Sequence, residues 1–400
     1  MRIKIKLNQI IVLCSFVLTF IISFGWITSL HKDEKYELVM SVQEDEILNI
    51  MQKMTIEEKI AQMLIIYYNT NTFNDEIRDF VDQVKPGGFI LMEGNFSNFD
   101  STKEYISNLK NHSKIPLIIS IDQEGGLVQR LKYIKDLKPL DIPDMYDLGS
   151  TNNKDLAYQV GKVMAEELRT IGVNVVYAPD IDVYSNPGNT VIGPRSFSSD
   201  PKIVSMMANS LANGLEDNKV IATYKHFPGH GDTIIDSHED LPLINKDYNS
   251  LKNLELIPFK EAIKNNAKII MIGHLALPNI TGNNTPATLS KDIINILKND
   301  LNYDGLIITD ALNMGALTNY YDPNDLCVQA INAGVDLLLM PGDVNGAINL
   351  IKEKVDEDRI NESVYKILTF KYKYLSEDNT LPKEYLNSIE HQNIINQIKG

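Results

Sequence analysis

The segment over residues 225–238 holds the densest group of side chains that could transfer protons or bind a metal ion. It reads KHFPGHGDTIIDSH and contains three of the seven histidines of the chain. Pro228 and Gly229 interrupt any helix here, which excludes the two histidines on one helix face that zinc proteases use. A metal site in an irregular loop stays open, and so does a rigid turn whose histidines bond to the backbone.

Asp236 and His238 offer a third interpretation of the same segment, as a proton-transfer pair. Residues two apart on an extended chain point to the same side, so the carboxylate can meet the imidazole. A carboxylate that accepts one imidazole N–H fixes the tautomer and raises the basicity of the other nitrogen. The imidazole of His238 could then donate and retrieve a proton near neutral pH.

Short apolar runs alternate with amphipathic stretches of helical length along most of the chain. Eight of these runs are predicted to be strands, over residues 63–68, 88–92, 117–121, 173–178, 220–224, 268–272, 306–309 and 336–340. Eight strands that read as continuous apolar runs predict a parallel α/β barrel, a single (β/α)₈ TIM-type fold without a second α/β sandwich domain. The rival is an open doubly wound sheet, which carries a glycine-rich phosphate loop after its first strand. No such loop follows Tyr68.

In a barrel, functional residues lie at the C-terminal ends of the strands. Charged or imidazole side chains follow the predicted strands at Glu93, Asp122, Asp180, Asp182, Lys225, His226, His274 and Asp310. The general polarity of loops explains Glu93. It explains Asp122 and Asp310 less well, because a carboxylate that ends a buried strand is costly without a partner or a task. For His274, a wall residue bonded to the backbone and a substrate contact are equally open.

Composition narrows the classes of partner and cofactor. The net charge of -15 and the sequence pI of about 5.0 exclude nucleic acid as a partner, because a negatively charged protein surface repels the phosphates of nucleic acids. The two cysteines, Cys14 and Cys327, are too few for an internal disulfide framework or a cysteine-based zinc site. We expect no cofactor, no metal ion and a monomeric protein.

The N-terminus predicts export or anchoring. Arg2, Lys4 and Lys6 precede an uncharged apolar stretch over residues 10–27, and its length and poor cleavage site favour a signal-anchor over a cleaved signal peptide. The basic flank puts the remainder of the chain outside the cytoplasm, membrane-anchored or secreted. The predicted parts are a signal peptide or anchor (1–31), a linker (32–42), the catalytic barrel (43–375) and a polar C-terminal tail (376–400).

The histidine-rich segment resembles the signature of glycoside hydrolase family 3, in its NagZ-type β-N-acetylglucosaminidase branch. Further landmarks of that family follow in the same order, at residues 87–91, 121–126, 178–182, 185–187, 192–197, 286–290 and 309–317. The resemblance spans about residues 54–341, and the segments at 225–238 and 309–317 are long and specific.

The resemblance implies a role for each matching residue. Asp310 matches the nucleophile that forms a covalent glycosyl-enzyme, and His238 matches the general acid/base, with Asp236 as its partner. The residues that match the groups binding the sugar hydroxyls and the N-acetyl group are Asp122, Arg130, Arg195, Lys225 and His226. The implied activity is a retaining, exo-acting hydrolysis of terminal β-linked N-acetylglucosamine, from peptidoglycan-derived muropeptides or related glycans.

Other functions stay open beside this one. A phosphorylase would use phosphate instead of water as the acceptor, and a histidine acid/base lets an anion approach. A family 3 β-glucosidase or β-xylosidase usually takes its acid/base from a second domain, which we do not expect here. A non-catalytic sugar-binding protein and a metal-dependent hydrolase are the remaining alternatives.

Overall fold

The computed structural model describes residues 44–233, 236–237 and 239–398. The chain divides into two compact units, residues 1–53 and 54–400, and in the first unit only helix α1 (44–53) is described. The predicted anchor or signal segment (1–31) and the linker (32–42) lie outside the described residues, so the predicted domain limits stay predictions. Within the described ranges, no helix is both long and apolar enough to cross a membrane.

Eight parallel strands form one sheet in the second unit, and a two-stranded antiparallel hairpin, β4–β5, stands beside it. The strands are β1 (Leu64–Ile66), β2 (Gly88–Leu91), β3 (Ile118–Ile121), β4 (Gln123–Gly125), β5 (Val128–Gln129), β6 (Val175–Val176), β7 (Ile221–Phe227), β8 (Ile269–Ile272), β9 (Leu306–Thr309) and β10 (Leu338–Leu339). The sheet order is β10-β1-β2-β3-β6-β7-β8-β9. The sheet closes where the Thr309 N–H donates to the Leu337 carbonyl at 3.0 Å. The predicted eight-stranded parallel barrel is confirmed.

Helices occupy most of the connections between the strands. They are α2 (Ile56–Gln62), α3 (Asp75–Val84), α4 (Phe99–His112), α5 (Met145–Ser150), α6 (Lys154–Thr170), α7 (Pro201–Asp217), α8 (Tyr248–Lys252), α9 (Leu256–Lys264), α10 (Pro278–Thr281), α11 (Lys291–Asn295), α12 (Gly315–Thr318), α13 (Pro323–Ala333), α14 (Val344–Lys354), α15 (Glu357–Tyr374) and α16 (Ile389–Asn396). Asn74, Asn98 and Asn153 begin α3, α4 and α6 by accepting N–H groups of the first helical turn.

Strand β7 continues beyond its predicted end at residue 224. The Lys225 carbonyl accepts the Ile181 N–H at 2.7 Å, and the Phe227 carbonyl accepts the Gly273 N–H at 2.9 Å, so neighbours on both sides hold the extension. The register against β8 shifts between Tyr224 and Phe227. Such a bulge re-aims side chains, and both Lys225 and His226 line the same cavity.

The C-terminal segment is more ordered than a polar tail. We predicted residues 376–400 only as a tail, yet the structure contains helix α16 there, with Ile394 and Ile395 buried. His391 of this helix lies 2.8 Å from the Glu166 carboxylate of α6. The sequence did not indicate this amphipathic helix, because the segment is polar in composition and its contact on α6 lies far away in the sequence.

Asp336 links the last two strands to helix α15. Its fully buried carboxylate accepts the Ile307 N–H at 3.2 Å and the Ser363 hydroxyl at 2.6 Å. Lys366 and Arg359 each lie 3.3 Å from it. Burial alone would raise the pKa of Asp336, but the two cations and the Ser363 hydroxyl hold that pKa below its usual range.

Replacing Asp336 by alanine should lower the free energy of unfolding by about 3–5 kcal/mol at pH 7, because two partly buried cations lose their counter-ion. Because the pKa is lowered in the folded state, the carboxylate's contribution is present above about pH 4 and fades as the pH falls through the folded-state pKa. Urea unfolding at several pH values measures both effects. The exposed Asp304, just before β9, supplies the control, and an equal loss in Asp304→Ala would contradict this account.

Candidate active site

A cavity of about 350 Å³ opens at the C-terminal ends of the barrel strands. Six of the residues predicted for the site line it, namely Asp122, Arg130, Arg195, Lys225, His226 and Asp310. Much of the remaining wall is apolar and consists of Ile90, Met92, Val128, Val191, Met271, Met314, Leu339 and Met340. The structure therefore brings together the side chains that the strand-end rule and the family resemblance selected, while their roles stay predictions.

Asp310 directly follows β9 and faces the cavity. Its N–H donates to the Ile272 carbonyl at 2.9 Å, and its Oδ1 accepts the Ala311 N–H at 2.7 Å. Burial alone would raise the pKa of Asp310, but His226, His274, the Ala311 N–H and Lys225 together lower it. His226 has a pKa of about 4 and is neutral at pH 7, so Lys225 and the Ala311 N–H keep Asp310 ionised there.

Lys225 and Arg195 share a buried carboxylate that the sequence reasoning did not select. Glu124, on hairpin strand β4, binds Arg195 through two hydrogen bonds of 2.8 and 2.9 Å and lies 2.5 Å from Lys225. Lys225 also donates to Asp122 at 3.1 Å. Burial opposes the ionisation of Glu124, but the two cations lower its pKa far below the usual range. Glu124 stands two residues after Asp122 in the sequence, and this spacing could have indicated that Glu124 belongs to the site.

His226 is held from behind by Asp182, whose Oδ2 lies 2.7 Å from the imidazole Nδ1. Burial lowers the pKa of His226 to about 4, so the ring is neutral at pH 7. The other nitrogen, Nε2, lies 3.5 Å from the Arg195 guanidinium. His230, in the following turn, contacts the hydroxyls of Thr233 and Ser237 at 2.8 and 3.2 Å. The imidazole partners of His226 and His230 among the described residues are thus side chains, whereas the rigid-turn interpretation had the histidines bond to the backbone.

The predicted acid/base pair is only partly described. His238 lies outside the described residues, so the Asp236–His238 pair stays a prediction. Asp236 itself is half-buried, and its neighbour Ser237 lines the cavity. Arg130 is also half-buried at the cavity, and its Nε has no acceptor within the part of the chain that the structure describes.

One group of carboxylates and imidazole among the described residues has the spacing of a metal site. Ligand atoms of Asp180, Asp182 and His226 lie within 4.8 Å of one another. The nearest pair is already hydrogen-bonded at 2.7 Å, and the Arg195 guanidinium lies 3.4 Å from Asp180 Oδ2. A dication there would break that bond and lie beside a fixed positive charge, so these residues fit a metal poorly.

His274 lies near Asp310 and is fully buried. Its Nδ1 is 2.7 Å from the Thr288 hydroxyl, and its Nε2 is 3.0 Å from the Ala311 carbonyl. Of the two readings left open, these contacts favour the wall residue, which supports the backbone next to Asp310.

Comparison with known proteins identifies the family of this barrel. The family model described as Glycosyl hydrolase family 3 N terminal domain matches residues 55–370. Beta-hexosaminidase A of Pseudoalteromonas piscicida is 34% identical over 290 residues, which cover 68% of this chain and 48% of that protein. Beta-hexosaminidase LpqI of Mycobacterium tuberculosis is 30% identical over 289 residues, covering 70% of this chain and 72% of that protein.

A solved structure agrees with these sequence relatives. The glycoside hydrolase family 3 beta-N-acetylglucosaminidase from Paenibacillus sp. str. FPU-7 superposes with a TM-score of 0.79 at 32% identity, covering 86% of this chain and 68% of that one. The match to the Pseudoalteromonas protein spans only about half of its length.

Replacing Glu124 by glutamine should lower kcat/KM at least ~100-fold, equivalent to about 2.7 kcal/mol, because Lys225 and Arg195 lose their shared counter-ion. Steady-state kinetics on an N-acetylglucosaminide measures the loss, and urea unfolding checks that the variant folds. Glu93→Gln, an exposed carboxyl after β2, is the matched control and should change little. Similar kinetics for both variants would show that Glu124 is dispensable.

Proposed function

The chain belongs to glycosyl hydrolase family 3, and we propose that it is a retaining, exo-acting β-N-acetylglucosaminidase. The observation that carries the proposal is the half-buried, ionised Asp310 beside Lys225 and His226 in the barrel cavity. An ionised carboxylate within reach of the anomeric carbon is what a double displacement requires. The relatives are named beta-hexosaminidase and beta-N-acetylglucosaminidase, and these names support N-acetylglucosamine as the sugar that the enzyme releases.

In the proposed first step, Asp310 attacks the anomeric carbon, and the bond from that carbon to the glycosidic oxygen breaks. His238 gives its proton to the departing oxygen, which leaves as an alcohol. In the second step, water loses a proton to His238 and attacks the same carbon, so the ester to Asp310 breaks and the carboxylate returns. Two inversions give net retention of configuration.

The polar side chains around the cavity supply complementary hydrogen-bonding groups for a sugar. Lys225 and the two arginines offer donors, and Asp122 offers an acceptor that is 22% exposed. The cavity of about 350 Å³ is at the lower end of the range for small-molecule sites. That size supports an exo-acting enzyme, which accepts one terminal sugar.

We further propose that the natural substrates are peptidoglycan-derived fragments or related glycans with terminal N-acetylglucosamine. The support is the sequence pattern of Arg2, Lys4 and Lys6 before the apolar stretch 10–27, which would place the barrel outside the cytoplasm, in the cell envelope. We propose that the barrel acts as a monomer and needs no cofactor, because each step above uses only this chain's side chains and water.

Purified protein should hydrolyse a nitrophenyl N-acetylglucosaminide at least ~100-fold faster than the corresponding glucoside, a difference of about 2.7 kcal/mol in transition-state binding. Product analysis with and without inorganic phosphate separates hydrolysis from phosphorolysis. Free N-acetylglucosamine under both conditions supports the proposal. A sugar phosphate, or a faster glucoside, would contradict it.

His238→Ala should slow substrates with poor leaving groups far more than nitrophenyl substrates, because an activated leaving group departs without protonation. Measuring kcat/KM for a nitrophenyl glycoside and for a disaccharide gives the comparison, with Glu239→Ala, an exposed neighbour, as the control. An equal loss on both substrates would remove the acid role from His238.

A further inference from the structure

Two carboxyl groups lie side by side behind His226, and the mechanism above uses neither. Asp180 and Asp182 follow strand β6, and both side chains are fully buried. Their oxygens lie within 4.8 Å of each other and of a His226 ring nitrogen. Like charges at this distance in a buried place cannot both ionise easily, so one proton is expected to remain on the pair.

Asp182 is the member that faces hydrogen-bond donors. Its Oδ1 accepts the His230 N–H at 2.6 Å, and its Oδ2 lies 2.7 Å from His226 Nδ1. The His226 N–H also points at this carboxyl, at 3.3 Å from Oδ2. A carboxyl group that accepts two backbone N–H groups and also faces an imidazole nitrogen is stabilised as the anion.

Asp180 has the opposite surroundings. Its Oδ1 accepts the Asp182 N–H at 3.0 Å, but its buried Oδ2 has no hydrogen-bond donor among the residues that the structure describes. Arg195 lies 3.4 Å from that oxygen but donates its hydrogen bonds to Glu124 and to the Val191 carbonyl. A proton on Oδ2 would turn an unsatisfied acceptor into a donor.

We propose that Asp180 carries a proton that it donates to the Asp182 carboxylate, and that Asp182 holds His226 with Nδ1 protonated and Nε2 free to accept. His226 then presents an acceptor, not a cation, to a substrate hydroxyl at the cavity. The assignment of that hydroxyl to a sugar rests on the proposed function, whereas the proton on Asp180 does not. Both aspartates are positioning residues, because they act through His226.

The titration behaviour agrees with this geometry. Burial, and next the charge of Asp182, raise the pKa of Asp180 to about 8. Burial also raises the pKa of Asp182, but only to about 6, since the His230 N–H and a hydrogen bond to Asp180 oppose the rise. The other charged or titratable groups that act on Asp180 are Arg195, His226 and Glu124. Above about pH 8 the pair becomes doubly charged, so Asp180 no longer donates a hydrogen bond to Asp182. The two carboxylates then repel each other, which disturbs the position of His226.

The proton can be observed without any activity measurement. In ¹³C NMR of protein labelled at the aspartate carboxyl carbons, one resonance should titrate near pH 8 and be absent from Asp180→Asn. Asparagine is the matched replacement, because its amide oxygen can accept the Asp182 N–H while its NH₂ donates to the carboxylate. If no aspartate titrates above pH 7, or if that resonance persists in Asp180→Asn, the proposal is overturned.

Kinetics then test the role of the pair. In wild type, kcat/KM should fall about fivefold between pH 8 and 9, as expected for one deprotonation with a pKa of about 8, and Asp180→Asn should abolish most of that fall. At pH 6, Asp182→Asn should lose at least ~10-fold more kcat/KM than Asp180→Asn, because its NH₂ opposes a donor on His226 or His230. Identical pH profiles in wild type and Asp180→Asn would overturn the proposal.

The outcomes separate this proposal from the proposed function. An active wild type with no aspartate titrating above pH 7 would reject the carboxyl pair and leave the glycosidase intact. The NMR signature in a protein that does not hydrolyse N-acetylglucosaminides would support the pair and reject the glycosidase. If Asp182→Asn does not fold, the NMR titrations of wild type and Asp180→Asn still show whether Asp180 carries the proton.

Discussion

The balance of buried charge around the cavity is the constraint on which the site depends. Five carboxyl groups converge there, belonging to Asp122, Glu124, Asp180, Asp182 and Asp310. The cations that form ion pairs with these carboxylates are the buried Lys225 and the half-buried Arg195, and His226 is neutral. Full ionisation of all five would cost more than two cations recover, since the interior has a low effective dielectric. The structure distributes that charge unequally. Glu124 and Asp310 are held as anions, whereas the pKa of Asp180 is raised.

That balance depends on the extension of strand β7. Adjacent residues on a regular strand point to opposite faces, so a regular β7 would bring only one of Lys225 and His226 to the cavity. The register shift between Tyr224 and Phe227 lets both side chains reach it. Lys225 then meets the hairpin carboxylate Glu124, and His226 meets Asp182. A local irregularity of the barrel thus brings to the cavity both the cation that pairs with Glu124 and the imidazole that Asp182 contacts.

The sequence predicted what depends on local pattern. Eight apolar runs gave eight barrel strands, because strands buried on both faces have no polar positions to obscure them. The strand-end rule then selected Asp122, Lys225 and Asp310. It did not select Glu124 as a site residue. The place of Glu124 in the site depends on its hydrogen bonds to Arg195, which lies 71 residues further along the chain. Helix α16 was hidden for the same reason, since its partners are on α6. His238 and the N-terminal segment lie outside the described residues and remain sequence predictions.

The central claim is that the Asp310 carboxylate bonds to the anomeric carbon during turnover. A fluorinated N-acetylglucosaminyl donor with a good leaving group slows hydrolysis of the glycosyl-enzyme more than its formation, so the intermediate accumulates. Peptide mass spectrometry of the trapped protein then locates the sugar. The account predicts one glycosyl group on the peptide that contains Asp310, and none in Asp310→Asn. A sugar on any other residue, or turnover with no covalent species and inverted product, would contradict it.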